Sequence, residues 1–159
     1  MPRTDTADLA SAENELATLA GVVASEIALD WTPAAGFWEG CREHELRVPI
    51  CNECGRVAWY PRVACGHCLS EHFTWEATDS SPRLYTWTTV MFHFIEALKE
   101  HLPYASGLVD IGIDSPDVNV RLSFILPTSY QLVIGMEMTP VFIDVGQVTV
   151  PMFVPTGQP

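Results

Sequence analysis

Two Cys-x-x-Cys pairs, Cys51-Asn52-Glu53-Cys54 and Cys65-Gly66-His67-Cys68, stand ten residues apart. A thiolate is a strong zinc ligand, and each pair can offer two sulfurs to one side of a tetrahedral ion. A short hairpin through Val57–Tyr60 would bring the two halves together. Gly55 follows the first pair, where a tight knuckle turn aims backbone N–H groups at sulfur; Leu69 has that place after the second. Cys51, Cys54, Cys65 and Cys68 would fill the coordination sphere, so zinc here would be structural and leave no position for water or substrate. The separation is shorter than in most zinc ribbons and suits a compact hairpin. Disulfides are the competing chemistry, but they fit poorly with paired Cys-x-x-Cys spacing in a chain expected in the cytoplasm. Iron is the competing metal, and nothing else in the sequence points to electron transfer.

The remaining reactive side chains form no set. Cys41 has no Cys-x-x partner and reads as a small buried hydrophobe rather than a nucleophile. His67 lies inside the second knuckle and reads as an exposed turn residue. His44, His72, His93 and His101 share no spacing with an acid or a nucleophile, and no triad, phosphate loop or paired-carboxylate site is visible. No catalytic residue is therefore assigned. Four of the eight basic residues, Arg42, Arg47, Arg56 and Arg62, crowd into 21 positions of an acidic chain. Guanidinium groups suit bidentate contacts with carboxylates or phosphates; scattered surface charge is the plainer alternative.

The elements that must position the cysteines follow from periodicity. Leu9, Ala12, Leu16, Leu19, Val23 and Ile27 form a stripe at helical spacing, predicting an amphipathic helix from about Thr6 to Ala28, with Thr4, Asp5 and Thr6 offering cap oxygens. Its apolar face must pack on its own domain or dock onto another chain. Thr32-Pro33 starts a second helix running through Phe37, Trp38 and Cys41 toward Glu45. Arg47–Ile50, Val57–Tyr60 and His72–Glu76 read as brief β pieces around the cysteines. After the Ser80-Ser81-Pro82 loop, strands are predicted at Leu84–His93, Ser106–Ile113, Val118–Leu126, Met138–Asp144 and Gln147–Phe153. Asp114–Asp117 and Val145-Gly146 supply turns, and Phe94–Tyr104 a short helical turn. Five strands in about 75 residues suit a small barrel of the OB type.

Composition narrows the class. The chain has 159 residues, 48% hydrophobic and 18% charged, with a net charge of −12 and a single lysine, Lys99. It is too apolar for disorder and too acidic for a phosphate-tracking nucleic-acid binder or a polybasic membrane anchor. No stretch has the roughly 18 apolar residues of a membrane span. Leu16–Ala24 looks like a short signal core, but its flank is acidic, so a cytoplasmic location is expected.

The order of these parts carries a resemblance. Phe37-Trp38-Glu39-Gly40 on a helix precedes Glu45-Leu46-Arg47. The two knuckles follow, with Gly55-Arg56 between them, and then Pro61-Arg62 and the barrel. Leu102-Pro103-Tyr104, Ile134-Gly135-Met136 and Val150-Pro151-Met152-Phe153 follow at the expected places. Over about residues 36–155 the chain resembles the rubredoxin-like zinc-ribbon/OB-fold family of acyl-CoA-associated proteins; the long first helix lies outside the resemblance. Leu69 and Met136–Pro140 depart from the family pattern without touching the four ligands. The expected fold is mainly β with N-terminal α-helices, a rubredoxin-like zinc ribbon followed by a five-stranded OB-fold barrel. The expected division is a helical segment at 1–46, the ribbon at 47–80 and the OB-fold domain at 81–159.

The resemblance implies a small partner subunit of a thiolase-superfamily enzyme (thiolase, aldolase or acyltransferase), with the catalytic groups on the partner. Such complexes process acyl-CoA thioesters, here in steroid or aromatic side-chain degradation. Phe37, Trp38, Arg42 and Arg47 are the expected partner-interface residues, and a CoA thioester could sit at that interface. The apolar loop Phe94–Leu102, with Trp87, Met91 and Phe92 leading into it, would be core and rim packing or the lining of an acyl passage. Two rivals stay open. One is a nucleic-acid-binding zinc-ribbon/OB module, using Trp59, Tyr60, Tyr85 and Trp87 as stacking platforms. The other is an independent acyl-CoA-handling enzyme.

Overall fold

The structure is a computed structural model and describes residues 6–27, 31–78, 81–113 and 119–157, without the side chains of residues 6–12. Thr4, Asp5, Ala28, Ser80, Val118 and the Asp114–Asp117 turn lie outside the described residues, as do the side chains of Leu9 and Ala12.

Helix α1 spans Thr6–Ser25. Leu16, Leu19 and Ala20 are buried, while Glu13 and Glu15 face solvent. The buried side packs on the chain's own β-structure and not on an open surface. Its neighbours are the strands at 121–127, 138–145 and 148–155 and the 3-10 turn at Glu96–His101. Leu16, Leu19 and Ala20 thus pack on the chain's own strands, while Val23 and Ile27 of the same stripe are only partly buried and line a cleft.

The second helix is shorter than its periodicity suggested. A 3-10 turn at Thr32–Ala34, with Pro33 in its first turn, leads into α2, Ala35–Arg42. His44 just beyond has a φ of 61°, a left-handed conformation that turns the chain into the ribbon instead of continuing to Glu45. Helix α2 buries Gly36, Phe37, Gly40 and Cys41. At Gly36 the missing side chain admits Trp75, since a Cβ there would lie 2.4 Å from three atoms of the indole.

Strands β1, Arg47–Cys51, and β2, Phe73–Ala77, pair antiparallel from Arg47↔Ala77 to Cys51↔Phe73. Val57–Tyr60 is not a strand. Only Val57 bridges, to Ile50, after which the chain bends so that Trp59 packs edge-on to Phe37, with ring centroids 5.9 Å apart.

The five predicted barrel strands are all present, as β3 Arg83–Val90, β4 Tyr104–Asp110, β5 Arg121–Pro127, β6 Met138–Val145 and β7 Val148–Pro155. β3, β4 and β5 form one antiparallel sheet, and β6 and β7 form a hairpin around Gly146. An Arg83↔Glu137 bridge joins the two sheets, reinforced by hydrogen bonds from Leu84 to Met136, Gly135 to Leu84 and Met138 to Pro82. On the other side β5 and β7 close the body by packing. That sequence of neighbours is the OB plan. A bulge at Tyr85 bends β3 between Leu84 and Thr86. One buried cluster runs from Leu19, Phe37 and Val48 through Val57 to Val109, Leu126 and Phe153, so the ribbon and barrel share a core.

Candidate metal centre and the surfaces around it

The ribbon builds its two knuckles alike. In the first, the Gly55 N–H donates to the Cys51 carbonyl at 2.8 Å, and the Cys51 N–H donates to Arg56 at 2.9 Å. In the second, the Leu69 N–H donates to Cys65 at 3.0 Å, and the Cys65 N–H donates to Ser70 at 2.8 Å. Gly55 has a φ of 69° and Leu69 a φ of 63°. Leu69 therefore takes the left-handed conformation that glycine supplies at no steric cost in the first knuckle.

These turns converge the four sulfurs. The Sγ atoms of Cys51, Cys54, Cys65 and Cys68 all lie within 4.8 Å of one another, with Cys51–Cys68 at 3.5 Å and Cys54–Cys65 at 3.7 Å. Zinc–sulfur bonds of about 2.3 Å in a tetrahedron require sulfurs about 3.8 Å apart. The residues fit a structural zinc ion, with every position taken by protein. Among the described residues this is the one cluster of three or more metal-ligating side chains.

Backbone dipoles prepare the sulfurs unequally. The N–H groups of Cys68 and His67 push the Cys65 thiol down to about 6, the latter lying 3.5 Å from its sulfur. Cys51 is lowered as well, chiefly by the N–H of Cys54. At Cys68 the Ser70 N–H pulls downward, but lost solvation and the three neighbouring thiols push it up to about 12. Cys54 is also raised: the Arg56 N–H opposes this, but lost solvation and the thiols of Cys51 and Cys65 outweigh it. Four thiolates crowd each other unless a cation offsets their charge, so loading releases protons.

The other sequence candidates separate. Cys41 is buried, and burial pushes its thiol up to about 12 against a weaker pull from Arg42, which makes it a poor nucleophile. His44 stacks on Phe142 at 5.4 Å, and His93 lies 3.1 Å from Glu96. Phe37 is in the core at 7% exposure. That burial leaves little of Phe37 for a partner to reach. Trp38 is half-buried beside it, and Arg42 is exposed. Arg47 is tied to Glu43 and to Glu45, the latter at 2.7 Å. Arg56 and Arg62 share a shallow cleft with His67 beside the second knuckle.

Of the four aromatic residues read as stacking platforms, Trp59 and Tyr60 stack on each other with ring centroids 5.4 Å apart. Trp59 donates its ring N–H to the Arg121 carbonyl at 3.3 Å, and the Arg121 guanidinium covers Tyr85 at 3.5 Å from the ring centroid. Met91, Phe92 and Phe94 project from the connection after β3 at 72%, 64% and 88% exposure, while Leu98 further along the same segment is buried in the core, so the segment is rim at its start and core at Leu98. Sequence reasoning did not find a cleft of about 430 Å³ between the end of α1, helix α2, the ribbon's Trp59-Tyr60-Pro61 and strands β5 and β7. Its only sequence signal is the number of tryptophans near the ribbon.

Comparison with known proteins agrees with this architecture. Residues 38–74 match the family model for the ChsH2 rubredoxin-like zinc ribbon domain. The fold resembles a chain of the Ltp2-ChsH2(DUF35) aldolase at 19% identity and a TM-score of 0.61, covering 77% of this chain and 93% of that one. It also resembles a DUF35-family protein of unknown function from Sulfolobus solfataricus, at 16% identity and a TM-score of 0.50, covering 69% and 77% of the two chains. Among curated proteins none matches. No helix among the described residues is long and apolar enough to cross a membrane.

Proposed function

We propose, from the premise that residues 38–74 are a rubredoxin-like zinc ribbon of the ChsH2 type, that this chain is the noncatalytic subunit of an aldolase complex. The observation that carries this reading is that this chain, ribbon and OB body together, matches in fold 93% of a chain in the Ltp2-ChsH2(DUF35) aldolase. The chemistry of the chain is consistent with it. Its metal site leaves no open position, and its buried cysteine is held as a thiol.

In this reading the partner is a thiolase-fold or sterol-carrier-type aldolase protein that holds the reacting groups. The substrate is an acyl-CoA thioester, in steroid or aromatic side-chain degradation, and the complex works in the cytoplasm. The helical part (1–46), the ribbon (47–80) and the barrel (81–159) together offer the partner surface. Trp38, Arg42 and the projecting Met91, Phe92 and Phe94 are its proposed contacts, since exposed apolar groups of this size favour burial against protein.

Co-expression with a thiolase-like protein encoded beside it tests the proposal. The two should elute as one species at micromolar concentration, and the partner alone should lose carbon–carbon cleavage of the acyl-CoA substrate. Separate elution together with a fully active partner would defeat it.

A further inference from the structure

We infer that the cleft between α1, α2, the ribbon and the barrel is a binding site for an uncharged, ring-bearing apolar small molecule, held by this chain alone. Its volume of about 430 Å³ falls in the range of drug-sized ligand sites. The inference does not rest on the assembly reading.

The lining sets the chemistry. Among the described residues, no charged side chain contributes to it. An ionic ligand would lose its hydration there and find no counter-charge. The polar groups are few and peripheral: the hydroxyl of Ser123 on an exposed position of β5, and Tyr60 at 63% exposure. Trp31, Trp38 and Trp59 give the walls flat indole surfaces, against which a ring system gains both contact area and stacking.

The wall formed by Phe37, Trp38 and Trp59 is held in place by contacts within the chain. Trp59 is oriented by its hydrogen bond to the Arg121 carbonyl and by edge contact with Phe37, which itself meets Trp38 at 5.0 Å. Pro61 and Pro151 stiffen the backbone on two sides. Ala34, small among large neighbours, leaves the room that a bulkier residue would fill. A preformed site of this kind loses little of its binding energy to ordering itself.

The test uses the full zinc-loaded chain and Nile red, a neutral ring dye that brightens in apolar surroundings. Saturable brightening at micromolar dye is expected, with energy transfer from tryptophan. Ser123→Trp, which fills the mouth from an exposed position, should weaken binding at least tenfold with zinc content and unfolding midpoint unchanged. If that variant folds poorly, Tyr60→Asp, which puts a charge at the mouth, should give the same loss. No saturable binding would overturn the inference. So would dye binding that survives both variants but is lost in Phe94→Ser, which would place the dye on the projecting loop. The inference also fails if Ser123→Trp breaks assembly with the partner while the wild-type chain binds no dye, because the cleft would then be a protein seat.

Discussion

Gly36 on α2 and Trp75 on β2 touch so closely that no side chain fits between them: a Cβ on residue 36 would lie 2.4 Å from three atoms of the indole. This contact seats the helix that carries Phe37 and Cys41 onto the ribbon that carries the metal ligands. Gly36→Ala should therefore cost about 1–3 kcal/mol, the usual range for overpacking, although alanine is the better helix former. Urea unfolding checks the magnitude. A stabilised variant would mean that the indole moves aside freely and that the seating is loose.

Zinc should be present at about one equivalent, and Cys65→Ser should lose it. Structural zinc contributes roughly 10 kcal/mol or more to small sites, so removing it should unfold the ribbon. Because the ribbon and barrel share a core through Val48 and Val57, chelation should also lower the midpoint of the whole chain. Metal analysis followed by thermal unfolding with and without chelator decides this. Freshly purified protein without zinc or iron, or a Cys65→Ser chain with full metal content, would count against the four-cysteine site.

The knuckle turns give a sharper comparison. Leu69 carries a strain of about 1–2 kcal/mol for a left-handed backbone that costs Gly55 nothing. Leu69→Gly removes that strain but frees the unfolded chain, which offsets about 0.4–1 kcal/mol of the gain. A net gain of a few tenths to about 1 kcal/mol is expected, and the reverse change, Gly55→Leu, should destabilise. At 78% exposure the Leu69 side chain has little packing to lose. A loss above about 1 kcal/mol in Leu69→Gly would contradict this account.

Cys41 makes stability sensitive to alkali. Its folded thiol titrates at about 12, above the unfolded value of about 8.5, so the folded state prefers the proton. The resulting stability is complete below about pH 8.5 and is lost as pH rises through 12. Cys41→Ala should flatten this part of the pH–stability curve. At pH 8 the native zinc-loaded chain should resist alkylation at Cys41 until it unfolds. Rapid labelling of that residue in the folded protein would mean that it is reachable and reactive after all.

What the sequence disclosed depended on how local the constraint was. Ligand spacing was legible because two sulfurs of one knuckle must leave a turn at fixed positions, whatever surrounds them. Strands such as β6 and β7 were legible because runs rich in β-branched and other apolar residues flank an obvious turn at Val145-Gly146. β4 begins at Tyr104 instead of Ser106 because the ladder to β5 runs out to Tyr104↔Pro127, a pairing that no local pattern reveals. The stripe on α1 showed that one face would be buried but not what would cover it. It also passed over Ala20, fully buried but too small to stand out. Val57–Tyr60 reads as a strand by composition, yet Trp59 is claimed by Phe37 and Arg121. The cleft was invisible because its walls are distant in sequence and meet only in the fold.

The hydrogen bond from Trp59 to the Arg121 carbonyl spans 62 positions, whereas the four metal ligands fall within residues 51–68. Short loops close at lower entropic cost and sooner than long ones. On a growing chain the knuckles can capture their ion while β5 is still unmade, and Trp59 then waits without its acceptor. Loop length alone therefore favours closure of the ribbon before completion of the aromatic wall. The cleft takes part of its wall from Leu122, Ser123, Val150, Pro151 and Phe153, so it is complete only once the last strands are in place, whereas the four ligands all precede them in the chain.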